Sequence, residues 1–184
     1  MNEKIWENHL KYLSGGYQLK GECIPLFNHL EKALKFMQSC NIDSENKLFL
    51  DVGCNNDYLK NYIKSEWNGI DFCKKNKDED KNYIEGDIHS LPYPDKFYDI
   101  VFSSHALEHT LAPIIVLAEI KRVLKDDGDI IIALPIYPYF IDPDHNYLLT
   151  SGGWEHIFVI LKLEIIKKQE INGTVEYHLK KCKI

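Results

Sequence analysis

Three aspartates of this chain, Asp51, Asp71 and Asp87, stand at or near the ends of apolar runs. A later run, Phe97 to Phe102, gives way to Ser103, Ser104, His105, Glu108 and His109. A carboxylate at a strand end is a hydrogen-bond acceptor. Asp71 can take both hydroxyls of a ribose, and Asp87, directly after Gly86, can take the amino group of an adenine. Aspartate after glycine is also an ordinary turn residue. Histidine changes charge nearest neutrality, so His109 and His145, then His105, are the candidates to take a proton from a nucleophile, with Glu108 orienting an imidazole or a hydroxyl. Each of these histidines also suits capping or packing against backbone. Asp144, His145 and His109 lack diagnostic metal-ligand spacing, so no metal site is expected.

Such residues converge only if the elements beneath them do. Leu48, Phe49, Leu50 and Val52 form a short apolar run closed by Gly53, the pattern of a central parallel strand covered on both faces, with a helix to follow from about Asp57. Upstream, Ile24, Phe27, Leu30, Leu34 and Met37 recur at helical spacing and predict an amphipathic helix over about 22–39. Further strand-like runs occupy Trp67 to Phe72, Asn82 to Glu85, Phe97 to Phe102 and Asp129 to Ile136. Between the last two, a helix is expected from Pro113 to about Lys125, with Gly128 breaking it. LEIIKKQEI and TVEYHLKKCKI are both strand-like and meet at Asn172-Gly173, the signature of a type I′ hairpin. The stretch from Phe72 to Asn82 is barely long enough for a crossover with a helix. Strands alternating with helices predict an α/β fold, a mostly parallel sheet finished by an antiparallel hairpin. In such sheets ligands bind beyond the carboxyl ends of the strands at the switch point, here the end of the Leu48 to Val52 strand.

With 184 residues, 45% of them hydrophobic, the chain suits one domain. Three parts are expected: an N-terminal helical cap over 1–42, a core over 45–136, and a substrate-side loop, helix and hairpin over 137–184. A net charge of −6 repels nucleic-acid phosphate and anionic lipid, so neither is an expected partner. The most apolar stretch, Ile130 to Ile141, is too short and proline-broken to span a bilayer. The 5 cysteines are scattered without CxxC spacing, as in a reducing compartment, and the expected location is the cytoplasm. The charged run Lys74 to Lys81 reads as a solvated loop.

Four blocks then agree in order and spacing with one family. DVGC at Asp51 to Cys54, NGIDFCKK at Asn68 to Lys75, EGDIHSLPYPDKFYDIVFSSHALEH at Glu85 to His109, and LAEIKRVLKDDGDIIIALP at Leu117 to Pro135 resemble the class I S-adenosylmethionine-dependent methyltransferases, type 11. The resemblance covers about 45–150. It implies a Rossmann-like three-layer sandwich with a seven-stranded sheet, and S-adenosylmethionine as cofactor. Carried over by position, it implies that Asp51, Gly53, Cys54 and Asn55 hold the methionine end and Asp71 the ribose. Phe72, Asp87 and Ile88 would border the adenine, and Ser103 and Ser104 the floor beside the sulfonium. His105, Glu108 and His109 then face the acceptor. From the acidic charge and the size of the chain, the expected acceptor is a small molecule, a metabolite, a sugar or a nucleotide-linked precursor, rather than a nucleic acid.

Two positions depart from the family's DxGxGxG loop, because Asn55 and Asp57 stand where glycines are usual. Asn55 tolerates left-handed backbone. Asp57, as a helix N-cap, would consume amide donors and add negative charge, so weaker cofactor binding is expected. The alternative is a methyltransferase-fold binding or regulatory protein with weak or lost turnover. A nicotinamide site needs G-x-G-x-x-G and a P-loop needs GxxxxGK[ST], and neither is present.

Overall fold

The computed structural model describes residues 26–55, 58–72, 82–137 and 145–183. Seven strands form one sheet: β1 (Leu48–Val52), β2 (Glu66–Asp71), β3 (Tyr83–Glu85), β4 (Tyr98–Ser104), β5 (Leu124–Pro135), β6 (Leu163–Ile171) and β7 (Thr174–Lys181). Their order is β3-β2-β1-β4-β5-β7-β6, with β3 to β5 parallel and β7 antiparallel to both its neighbours. The chain runs outward from β1 through β2 to β3, then returns to β4 on the other side of β1. That reversal opens the crevice at the carboxyl ends of β1 and β4.

Both faces of the sheet are covered, in line with the three expected layers. Helix α1 (Leu26–Ser39) turns Ala33, Leu34, Phe36 and Met37 onto one face, against Phe49, Ile100, Phe102, Ile131 and Ala133. Helices α2 (Pro113–Val123) and α3 (Ser151–Ile160) cover the other, where Val116, Leu117, Ile120, Trp154 and Phe158 meet Leu50, Val52, Val101, Ile130 and Ile132. The apolar residues of the central strands therefore alternate between two cores, as the two-residue period of a strand requires. The expected helix over 22–39 begins at Leu26 among the described residues. The helix expected from Asp57 corresponds, among the described residues, to a 3₁₀ turn at Tyr58–Asn61, and Asp57 itself lies outside them. Residues 73–81 also lie outside.

The C-terminal hairpin forms as expected, with positive φ at Asn172 (50°) and Gly173 (79°) and Ile171 paired to Thr174. The end of α2 differs from expectation. The helix stops at Val123 and passes directly into β5 at Leu124, whose ψ is 141°. Gly128 is not a helix breaker but a member of β5. Tyr98 pairs with Leu124 and Ile100 with Asp129, so β5 bulges between these pairs. A Cβ on Gly128 would stand 2.8 Å from the carbonyl oxygen of Asp99. Arg122 locks the loop before β4, donating to the carbonyls of Leu91 and Tyr93 and to Asp95 and Glu119. Among the described residues, no helix is long and apolar enough to cross a membrane.

Candidate active site

The turn after β1 is tied to β2. The amides of Gly53 and Cys54 both donate to the carbonyl of Ile70, at 2.9 and 3.3 Å, and the amide of Asn55 donates to Oδ2 of Asp71 at 2.8 Å. Gly53 has φ +77° and Asn55 φ +49°, so the chain bends through the left-handed region twice. A side chain at 53 is also barred sterically: a Cβ there would lie 2.3 Å from the Cβ of Ala106. The segment after β1 thus crosses the segment after β4 at contact distance. Asp51 and Asp71 are buried, at 4% and 8% exposure, and Cys54 is buried in the α1-side core. Phe72 follows at 39% exposure.

The remaining cofactor candidates sit at the neighbouring strand ends. Ser103 is buried and donates to the carbonyl of Val52 at 2.9 Å, joining β4 to β1; half-buried Ser104 pairs with Ala133. Asp87 performs a turn role, accepting the His89 amide at 2.9 Å and the His89 ring at 2.7 Å, with its side chain 70% exposed. Burial presses its carboxyl upward, but the contacts with the His89 amide and ring together outweigh it and hold the carboxyl below the usual value. Ile88 packs on the α2-side core.

Beyond β4 the histidines gather. His105 takes φ +51° while its amide donates to the carbonyl of Ala133, and a 3₁₀ turn at Leu107–His109 follows. Glu108 is fully buried, with Oε1 3.4 Å from Nδ1 of His105 and 3.8 Å from Nε2 of His109. Burial alone would raise this carboxyl, yet the imidazoles of His105 and then His109 keep it below its ordinary value. A strap from the loop after β5 docks here. The amides of Asn146 and Tyr147 donate to the Glu108 carbonyl at 2.8 and 3.1 Å, and Asn146 Nδ2 donates to the His109 carbonyl at 2.7 Å. The strap brings the His145 ring edge-on to His109, with centroids 4.9 Å apart. Asp144 lies outside the described residues. Of the aromatics that follow β5, Trp154 is core at 0% exposure, and the Tyr147 hydroxyl ties the strap to the Leu111 carbonyl. The N-terminal aromatics Trp6, Tyr12 and Tyr17, which by analogy with the fold would suit a lid, lie outside the described residues.

One acid escaped the sequence reading. Glu176 on β7 is 3% exposed, and burial raises its carboxyl above the ordinary value against the pull of Gln169, Lys32 and His105. Its signal was there in Glu176 and His178 at i and i+2, but that alternation reads as a solvent face, and only α1 shows it to be covered.

Sheet order, antiparallel end and switch-point crevice together define the class I methyltransferase fold. Residues 50–132, from β1 into β5, match the family described as a methyltransferase domain. Over that segment, which holds every candidate cofactor residue from Asp51 to Ser104, the chain is similar to this family, and its fold is that of the S-adenosylmethionine-dependent methyltransferases of class I. A fatty-acid O-methyltransferase of Mycolicibacterium smegmatis is 23% identical over 191 residues, covering 94% of this chain and 66% of that protein. A tRNA U34 carboxymethyltransferase of Nautilia profundicola is 33% identical over 111 residues, 50% of this chain and 35% of that one. The structure of a Burkholderia thailandensis 1,6-didemethyltoxoflavin N1-methyltransferase, with its 1,6-didemethyltoxoflavin and S-adenosylhomocysteine bound, matches with a TM-score of 0.79 at 12% identity. That match covers 100% of this chain and 92% of the other. This chain spans between 30% and 66% of the length of the curated relatives it matches.

Proposed function

We propose that this protein transfers a methyl group from S-adenosylmethionine to an oxygen or nitrogen of a small-molecule acceptor in the cytoplasm. The observation that carries the reading is the pair of buried carboxylates, Asp51 and Asp71, at adjacent strand ends across from the histidine cluster that follows β4. When bound, the cofactor supplies an electrophilic methyl group on a sulfonium. Asp71 accepts the ribose hydroxyls while keeping the Asn55 amide, and Asp51, Gly53, Cys54 and Asn55 bound the methionine end. Phe72, Asp87 and Ile88 border the adenine, and Ser103 and Ser104 line the floor. On the acceptor side, His109, His145 and His105 take the proton that a hydroxyl or amine must lose, and buried Glu108 keeps their rings in place. Holding the nucleophile within about 3–3.5 Å of the methyl carbon, in line, is the main service such a site renders.

The names of the relatives, which span a fatty acid, a tRNA and a toxoflavin precursor, cover several acceptor chemistries. The net charge of −6 favours a small molecule over tRNA. Adding S-adenosylhomocysteine to the purified protein should stabilise it by about 2.7 kcal/mol at a hundred times the dissociation constant. Asp71→Ala should abolish that shift, and an unshifted wild type at millimolar ligand would sink the reading.

A second reading, a methyltransferase-fold binding or regulatory protein with weak or lost turnover, has one observation in its favour. The amides of Gly53, Cys54 and Asn55 are already engaged by Ile70 and Asp71 rather than presented to a ligand. It predicts weak cofactor binding and stable co-purification with a partner.

A further inference from the structure

We propose that Glu108, His109 and His145 form a binding site for one divalent transition-metal cation of the zinc class. A ligand atom from each of the three lies within 4.8 Å of those of the other two, and Oε1 of Glu108 is 3.8 Å from Nε2 of His109. Two ligands about 2.1 Å from a tetrahedral ion stand about 3.4 Å apart, so closing the cluster by roughly an ångström of side-chain rotation completes the geometry. The backbone beneath is already set. The strap that carries His145 is bonded to the turn that carries Glu108 and His109 through the carbonyls of Glu108 and His109.

Glu108 supplies the independent argument. It is fully buried; among the described residues neither carboxylate oxygen makes a hydrogen bond, and its ion-pair partners are imidazoles at 3.4 and 3.8 Å. An ionised carboxylate out of water is strongly disfavoured unless a cation stands close to it. A metal ion coordinated by the carboxylate meets that need, and imidazole nitrogens are its natural companion ligands. Two imidazoles and one carboxylate prefer zinc, cobalt, nickel or iron over magnesium or calcium. Three protein ligands also leave coordination positions open, as catalytic rather than structural sites do. The site's catalytic meaning rests on the methyltransferase reading: an open position beside the acceptor would hold its oxygen or nitrogen and acidify a coordinated hydroxyl. His109 and His145 are then ligands, and His105 remains to receive the proton.

The test uses the full chain, stripped by chelator and titrated with Co2+ alone. One equivalent should produce saturable d–d absorption, with two hyperfine-shifted imidazole N–H signals in the proton NMR spectrum. His145→Ala and Glu108→Gln should each weaken Co2+ binding at least tenfold. His156→Ala, on the exposed side of α3, should leave it unchanged. Absence of saturable absorption in the wild type, absence of the shifted imidazole signals, or wild-type affinity in folded His145→Ala and Glu108→Gln overturns the proposal. The NMR signature needs no variant, so it decides the matter even if the substitutions unfold the chain. S-adenosylhomocysteine binding is measured separately on the metal-free protein. Cofactor binding without Co2+ binding overturns the metal site alone, whereas Co2+ binding without cofactor binding supports the metal site and removes the methyltransferase reading.

Discussion

Gly53→Ala is the substitution for which the structure allows the fullest forecast. Two separate penalties meet at this residue. Its φ of +77° is left-handed, which costs a non-glycine residue about 1–2 kcal/mol. Its added Cβ would lie 2.3 Å from the Cβ of Ala106, a clash between two backbone segments that a side-chain rotation cannot relieve. Overpacking of that kind costs about 1–3 kcal/mol. The sum is about 2–5 kcal/mol, and at roughly 2–4 °C per kcal/mol for a chain of this size the melting temperature should fall by about 10 °C near the middle of that range. Urea denaturation of the wild type, Gly53→Ala, Ala106→Gly and the double variant would separate the terms. Ala106→Gly deletes the clashing methyl and should recover the steric share but not the conformational one, giving a coupling of at least about 1 kcal/mol. Additivity within about 0.3 kcal/mol would show that the two segments do not meet as described. A Gly53→Ala protein as stable as the wild type would refute the whole argument.

Two further outcomes are expected. Asp129 is partly buried, but its contacts with His178 and Lys180 outweigh that burial and hold its carboxyl below the ordinary value. A carboxyl whose folded pKa is depressed stabilises the protein above its unfolded pKa, near 3.9, and loses that contribution as pH falls through the folded value. Urea midpoints measured from pH 7 down to 3 should therefore fall less steeply for Asp129→Asn than for the wild type; parallel curves would contradict the reading. Arg122→Met removes the bonds to Leu91, Tyr93, Asp95 and Glu119 and leaves the partly buried Leu91 and Tyr93 carbonyls short of donors. It should cost about 2–3 kcal/mol in chemical denaturation and speed hydrogen exchange over residues 88–97, and unchanged exchange there would refute the clamp.

Some of this architecture was legible because its signals are local. The apolar run of β1, the Pro113 start of α2 and the Asn172-Gly173 turn each depend on residues within a few positions, and each appears where the pattern put it. Asn55, expected to tolerate left-handed backbone, adopts it. The end of α2 was misread because Gly128 is an ordinary helix terminator in sequence terms. Its actual constraint is the Asp99 carbonyl on the neighbouring strand, which no local window contains.

The candidate site divides along the same line. The sequence alone determined that three aspartates lie at or near strand ends and that serines and then histidines come where β4 finishes, because strand ends and polar residues are both written locally. Only the tertiary structure decided how those groups are used: the exposed Asp87 held in a turn by His89, Asp71 stapled to the Asn55 amide, Glu176 covered by α1. It also decided that His145 meets Glu108 and His109, residues 37 and 36 positions earlier in the chain and joined to it by the strap's hydrogen bonds. Periodicity reports which face of an element is apolar. Which polar groups become neighbours, and how much water they lose, depends on where the chain returns in space, and that is set by the packing of the whole sheet.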